Sequence, residues 1–168
     1  PQCYEVVPGS TSWRELAENS RDILYLIDDR GYFAYLSPAA KNILGYDPSE
    51  VIGRSLFKFV IEEDLQALQK DIQSALTGEI RNSEFRAFKN SGEVIWLQAL
   101  FQPIFKDELI VGIQGSARSI NDRKIAEKAL DTSEEKYRDL VENIYDAIYS
   151  LDDKGYFTYV SPGVKNVA

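Results

Sequence analysis

One feature limits this chain more than any other: it repeats itself. Shifted by 124 positions, residues 14–44 lie on residues 138–168 without a gap. The strongest stretch is Asp28-Asp29-Arg30-Gly31-Tyr32-Phe33-Ala34-Tyr35-Leu36-Ser37-Pro38. It meets Asp152-Asp153-Lys154-Gly155-Tyr156-Phe157-Thr158-Tyr159-Val160-Ser161-Pro162. Upstream, Arg14, Leu16, Glu18, Asn19, Asp22 and Tyr25 recur as Arg138, Leu140, Glu142, Asn143, Asp146 and Tyr149. Solenoid units repeat every ~20–50 residues, so this period belongs to a tandem domain. The expected layout is a tail over 1–10, one complete domain over 11–121, a helical linker over 122–144 and the truncated start of a second domain over 145–168. With no Met at position 1, the sequence reads as an excerpt of a longer protein.

Composition removes several function classes. A net charge of −8 argues against a nucleic-acid surface, which needs clustered Lys and Arg. No apolar run approaches the roughly 20 residues of a membrane helix, and no signal segment opens the chain, so no membrane contact is expected. The sole Cys, Cys3, makes an intrachain disulfide impossible and points to the reducing cytoplasm. With no His and no Met, a His-ligated haem, a His-based zinc site and a Ser-His or Cys-His nucleophile are all ruled out. Asp28-Asp29 and Glu62-Glu63-Asp64 are carboxylate clusters, but the first is turn chemistry and the second a helix start. No catalytic residue and no metal site is expected, and the fragment is not read as an enzyme.

The punctuation within the first copy predicts an α+β domain. Trp13, Leu16 and Ala17 recur at helical spacing. Asp22–Asp28 and Tyr32–Leu36 read as a hairpin around the Asp28–Gly31 turn. Ser37-Pro38 opens a helix, and Asp47-Pro48-Ser49-Glu50 has the residues of a capping box. The acidic run Glu62–Asp64 favours a helix N-terminus. Leu65, Leu68, Ile72 and Leu76 then share one face, and Gly78 is placed to end the helix. The period then drops to two over Glu84–Lys89, Val94–Phe105 and Leu109–Arg118. Asn90-Ser91-Gly92 makes the first turn and Lys106-Asp107 lies in the second. Two strands, short helices and three hairpin-linked strands give a five-stranded antiparallel sheet with helices on one face.

In this order and spacing the residues resemble the PAS family of sensory domains. The resemblance covers about Thr11 to Asn121 and resumes near Tyr137. It rests on Asp28–Gly31, Ser37-Pro38-Ala39-Ala40, Leu44-Gly45-Tyr46, Glu63-Asp64-Leu65, Glu84-Phe85-Arg86, Asn90-Ser91-Gly92-Glu93-Val94-Ile95-Trp96 and Pro103-Ile104. Arg118-Ser119-Ile120-Asn121-Asp122-Arg123-Lys124 resembles the family's terminal Asp-Ile-Thr motif with its basic pair. Another α+β sensor, such as a GAF domain, is the alternative. The resemblance implies a sheet order of 2-1-5-4-3, a cavity between sheet and helices, and signal relay through Arg118, Ser119 and Asn121. Ser119 stands where the family has Asp and Asn121 where it has Thr; both can still cap a helix.

Strand alternation sorts the cavity face. Leu97, Ala99 and Phe101, with Phe85 and Ala87 and with Ile113, Gly115 and Ala117, form a set without charge or amide, so they are expected inside. They would face Ile43, Phe57, Leu68 and Ile72, with Tyr25 or Tyr35 able to supply a hydroxyl. Two readings stay open, a pocket for a small unknown ligand and a filled core. The family's flavin-binding branch needs a Cys in its central helix and a Gln near the end of the last strand. Here the domain has no Cys and Ala117 stands at the Gln position, so no flavin is expected, nor any haem.

Trp96, Leu100 and Ile110 fall on the outer sheet face and need a cover. The helix carrying Trp13 and Leu16, a second subunit, or both would supply it, and a homodimer is expected. Ala126, Leu130, Ser133, Tyr137, Leu140 and Ile144 step as a short heptad seam, read as a parallel dimeric linker. A single amphipathic helix packed on its own domain is the alternative, and Thr132-Ser133-Glu134-Glu135 could restart the helix as a capping box. The implied role is an input module that relays to an output domain of the same polypeptide, a histidine kinase first and a diguanylate cyclase second. The rival role is a ligand-free dimerisation spacer in an array of such domains. A lone two-stranded hairpin is marginal in water. Ile148–Val160 is therefore expected to pair with another chain or with an exposed sheet edge.

Overall fold

The computed structural model describes residues 11–143 and 149–160. The chain divides into two compact units, 1–121 and 122–168. The first opens with helix α1, Thr11–Asn19, followed by strands β1, Ile23–Asp28, and β2, Phe33–Leu36. Helices α2, Ala39–Leu44, and α3, Pro48–Val51, a 3-10 turn at Leu56–Phe59 and helix α4, Glu62–Leu76, come next. Strands β3, Arg81–Phe88, β4, Val94–Lys106, and β5, Leu109–Ser119, complete the sheet. Its order is β2-β1-β5-β4-β3, and its neighbouring strands pair antiparallel.

Local chemistry explains these elements. The Asp28 carboxylate accepts from the amides of Arg30 (2.9 Å) and Tyr32 (2.8 Å), which closes the hairpin turn. Gly31 occupies the left-handed region there, at φ 85°. Asp47 accepts from Ser49 N at 3.1 Å while Glu50 reaches back to Asp47 N at 3.2 Å, completing the capping box with Pro48 in the first turn. Ser37 acts as a tie to β1 and caps no helix. It is fully buried, its hydroxyl accepts from Leu24 N, and its own amide donates to the Leu24 carbonyl. Helix α4 has no side-chain cap at Ile61; Glu62, Glu63 and Asp64 put negative charge against the positive end of its dipole instead.

Two aspartates fasten α4 to the edge strand β3. Asp64 accepts from the Arg86 backbone amide (2.8 Å) and from its guanidinium (3.0 and 2.7 Å). Two turns on, Asp71 accepts from Arg81 (2.9 Å) and from the buried Ser83 hydroxyl (2.6 Å). Strand β3 consequently starts at Arg81, three residues ahead of the expected Glu84. The core lies between the sheet and the helices. Leu68, Ile72 and Ala75 of α4 meet Phe85, Leu97, Ala99, Phe101 and Ile113 in one buried cluster.

In the second unit, helix α5, Asn121–Asn143, precedes strands β6, Tyr149–Leu151, and β7, Phe157–Val160. The helix runs unbroken past Thr132, whose hydroxyl donates to the Lys128 carbonyl at 2.9 Å, so no capping box restarts it there. The repeat is reproduced in three dimensions. Pairs Tyr25–Leu36, Leu26–Tyr35 and Ile27–Phe33 recur as Tyr149–Val160, Ser150–Tyr159 and Leu151–Phe157, with the same register shift. Asp152 accepts from Lys154 N (2.9 Å) and Tyr156 N (2.8 Å), as Asp28 does from its counterparts. The end of α5 matches α1: Ala17 and Val141 are buried, while Leu16 and Leu140 are exposed. Among the described residues β6 and β7 form a separate two-stranded sheet and do not extend the five-stranded one. Ile148 lies outside the described residues.

Candidate functional site

The inward-facing residues of the sheet build one wall of an apolar cavity. The cavity has a volume of about 50 Å³ and exposes no polar atom. Its sheet wall is Ile23 and Tyr25 of β1, Phe85 and Ala87 of β3, Leu97, Ala99 and Phe101 of β4, and Ala117 of β5. Phe33 and Leu36 close it from β2, and Leu44, Tyr46, Val51, Leu56, Phe59 and Val60 from the helical side. The aromatic rings meet edge to face: Tyr25–Phe101 at 5.9 Å, Phe33–Phe59 at 6.1 Å and Tyr46–Phe59 at 5.1 Å between centroids.

Seven residues expected inside line it: Tyr25, Phe85, Ala87, Leu97, Ala99, Phe101 and Ala117. Leu68, Ile72 and Ile113 are buried in the same core but away from the cavity wall, and Ile43 and Phe57 pack on the core half-exposed. Their places on the wall are taken by the neighbouring Leu44, Leu56 and Phe59. Tyr35 is a correction. A bulge in β2 leaves Ala34 without a partner in β1, so Phe33 and Leu36 both point inward. Tyr35 pairs with Leu26 on the opposite face.

Gly115 faces inward but forms no wall. A Cβ there would collide with the Leu100 carbonyl oxygen and lie 2.6 Å from the Tyr25 hydroxyl. The missing side chain lets Tyr25 cross β5 and donate to the Leu100 carbonyl at 2.6 Å. This is the polar end of an otherwise apolar wall, and it is already paired. Burial pushes the Tyr25 hydroxyl well above the usual phenol range, so it stays protonated as a donor.

The exit junction lies at the end of β5. Ile120 N donates to the Trp96 carbonyl at 3.0 Å, and Asn121 Oδ1 accepts from Trp96 N at 3.2 Å. Asn121 N donates to the Ser119 hydroxyl at 3.4 Å, while the Arg118 guanidinium holds Gln98 at 2.6 Å. The first residue of α5 is thus tied to β4, one residue from the cavity-lining Leu97. The buried Ile120 and the Trp96 backbone complete this junction; both lie in motifs that carry the resemblance, but the sequence gives no sign that the two motifs meet.

On the outer face Trp96 and Leu100 are half-buried, and the Arg86 guanidinium lies 5.3 Å over the Trp96 ring. Leu16 is 68% exposed, so it does not cover that face within the chain. Trp13 belongs to α1, but its side chain lies outside the described residues. Ala126, Leu130, Tyr137 and Leu140 of the seam are exposed along α5. Asp64 titrates below the usual carboxylate range, first because the Arg86 side chain hydrogen-bonds it, against the opposing effect of burial. No helix among the described residues is long and apolar enough to cross a membrane.

The sheet order, one-sided helices and core cavity define an antiparallel α+β sensory fold. A family model for the PAS fold matches residues 33–117, half of the chain, and the chain belongs to that family. The blue light receptor lreA of Aspergillus flavus is 30% identical over 86 residues, 51% of this chain and 10% of that protein. The white collar 1 protein of Neurospora crassa is 30% identical over 89 residues, 52% of this chain and 8% of that protein. The chain therefore spans a tenth or less of the length of these two curated relatives. Among solved structures, a sensory box histidine kinase/response regulator from Burkholderia thailandensis superposes with a TM-score of 0.61. It is 23% identical, and the match covers 75% of this chain and 97% of that one. At that identity the likeness concerns the fold.

Proposed function

We propose that residues 11–121 are a sensory input module whose cavity state is passed through Ser119–Asn121 into α5 and on to an output domain of the same polypeptide. The observation that carries this reading is the Trp96 tie. Strand β4 lines the cavity with Leu97, Ala99 and Phe101 and is fastened at Trp96, through Ile120 and Asn121, to the start of α5. Any change that shifts β4 against β5 is felt at the helix N-terminus without a separate moving part. The output inferred is a histidine kinase, by analogy with the Burkholderia neighbour, with a diguanylate cyclase second. The light-receptor names of the fungal relatives suggest a photosensor, but the chain's only thiol is Cys3, ahead of the domain. The opening of a second PAS domain at 145–168 rests on the duplicated hairpin.

The test is amide hydrogen exchange in the first turns of α5. Filling the cavity with Ala117→Val should change exchange over residues 122–130 in the parent, and Asn121→Ala should abolish that response. An unchanged response in the Asn121→Ala background would refute the relay.

A second reading, a ligand-free dimerisation spacer, is favoured by the exposed Leu130, Tyr137 and Leu140 on α5. Sedimentation separates the contributions. A folded Trp96→Glu, Leu100→Glu variant that sediments like a dimeric parent would remove the outer sheet face from the interface.

A further inference from the structure

The walls of the cavity restrict what it can hold. A buried water needs two to four polar partners, and this cavity exposes none. The Tyr25 hydroxyl, the polar end of its sheet wall, is spent on the Leu100 carbonyl at 2.6 Å. A ligand bearing a hydroxyl or amide would lose its hydration and find no partner, and a charged one would lose more still. Size restricts it further. An apolar cavity of about 150 Å³ accepts benzene or xenon and otherwise stays dry. At about 50 Å³ the present cavity has a third of that space and leaves no room for a ring system without side-chain movement.

We infer that the cavity is dry and selects a small, uncharged, apolar molecule the size of a dissolved gas or short hydrocarbon. Tyr25 is the specificity-determining residue, because its bond to Leu100 removes the polar group that would otherwise admit a hydrogen-bonding ligand. Gly115 is what makes that bond reachable. The inference rests on the reading of the cavity as the input site, and it names the chemistry of the input.

The experiment is titration of the full 168-residue chain with xenon, followed through the methyl resonances of its alanines. Ala99 and Ala117 line the cavity and should show saturable shifts, while Ala126 and Ala129 on the exposed part of α5 should stay put. Ethylene glycol at matched concentration should leave all four unmoved. Ala117→Val, or Ala99→Val where the first variant does not fold, should remove the saturable xenon shift. Absence of a saturable shift in the parent, or an equal response to the glycol, would overturn the inference. So would a folded filling variant that keeps the xenon shift. None of these readouts passes through Asn121, so a failure of ligand selection and a failure of the relay are seen separately.

Discussion

Replacing Gly115 by alanine should be among the most damaging single-methyl additions to this domain. The added Cβ points into the core, onto the Leu100 carbonyl oxygen and within 2.6 Å of the Tyr25 hydroxyl. Neither obstacle is the free end of a flexible chain. One is backbone in the interior strand β4, and the other is a buried phenol held between Phe33 and Phe101. Forcing a methyl into a packed core costs about 1–3 kcal/mol. Breaking the Tyr25–Leu100 hydrogen bond and burying its ends unpaired adds about 1–3 kcal/mol. The sum, roughly 2–6 kcal/mol, is a large share of the 5–15 kcal/mol typical of a domain. The assay is urea denaturation followed by circular dichroism, with Gly92→Ala as reference. At Gly92 a Cβ meets nothing, and only the positive φ of 88° is penalised, by about 1–2 kcal/mol. Adding Tyr25→Phe should relieve part of the Gly115→Ala clash, so the double variant should be less destabilised than the sum by about 1 kcal/mol. A Gly115→Ala variant no worse than Gly92→Ala, or strict additivity with Tyr25→Phe, would refute the account of the crossing.

Two further outcomes follow from the clamp and the turn. Asp64 is held below the usual carboxylate range by Arg86, so its contribution is complete above the unfolded value and fades as pH falls through the lower folded one. Asp64→Asn should therefore lower stability at neutral pH by about 1–2 kcal/mol and flatten the acid limb of a denaturation series, and a parallel loss at every pH would contradict the clamp. In the β4–β5 turn Asp107 and Glu108 sit at φ 51° and 65°, positions that favour glycine. Glu108→Gly should raise stability by roughly 0.5–1 kcal/mol in the same urea assay, a gain that a relaxed turn would not give.

What could be read from the sequence, and what could not, divides along physical lines. Elements set by near neighbours were legible: the Asp28 turn, the Asp47–Glu50 box and the alternation that put Leu97, Ala99 and Phe101 inside. Elements set by distant partners were not. Arg81 and Ser83 hide the start of β3 behind a polar pattern, because their partner is Asp71 on α4. Asp64 reads as helix-start charge, yet its carboxylate also holds β3 through Arg86. Tyr35 reads as a possible hydroxyl donor beside Tyr25, and nothing in the strand alternation marks the bulge at Ala34 that sets it on the opposite face.

The duplicated hairpin sharpens that division. Residues 23–36 form it inside a five-stranded sheet, where β1 also pairs with β5. Residues 149–160 form it with no third strand among the described residues, yet with the same pairs, the same bulge and the same Asp-centred turn. Tyr32 is 44% exposed and its counterpart Tyr156 is 71% exposed, so the surroundings differ while the backbone register does not. A register common to both copies points to the turn itself, to the aspartate that collects two amides and the glycine at positive φ. The bulge that misplaces Tyr35 is then a property of this short segment and not of the five-stranded sheet. That makes it readable in principle from the Asp-x-x-Gly spacing, once the two copies are compared.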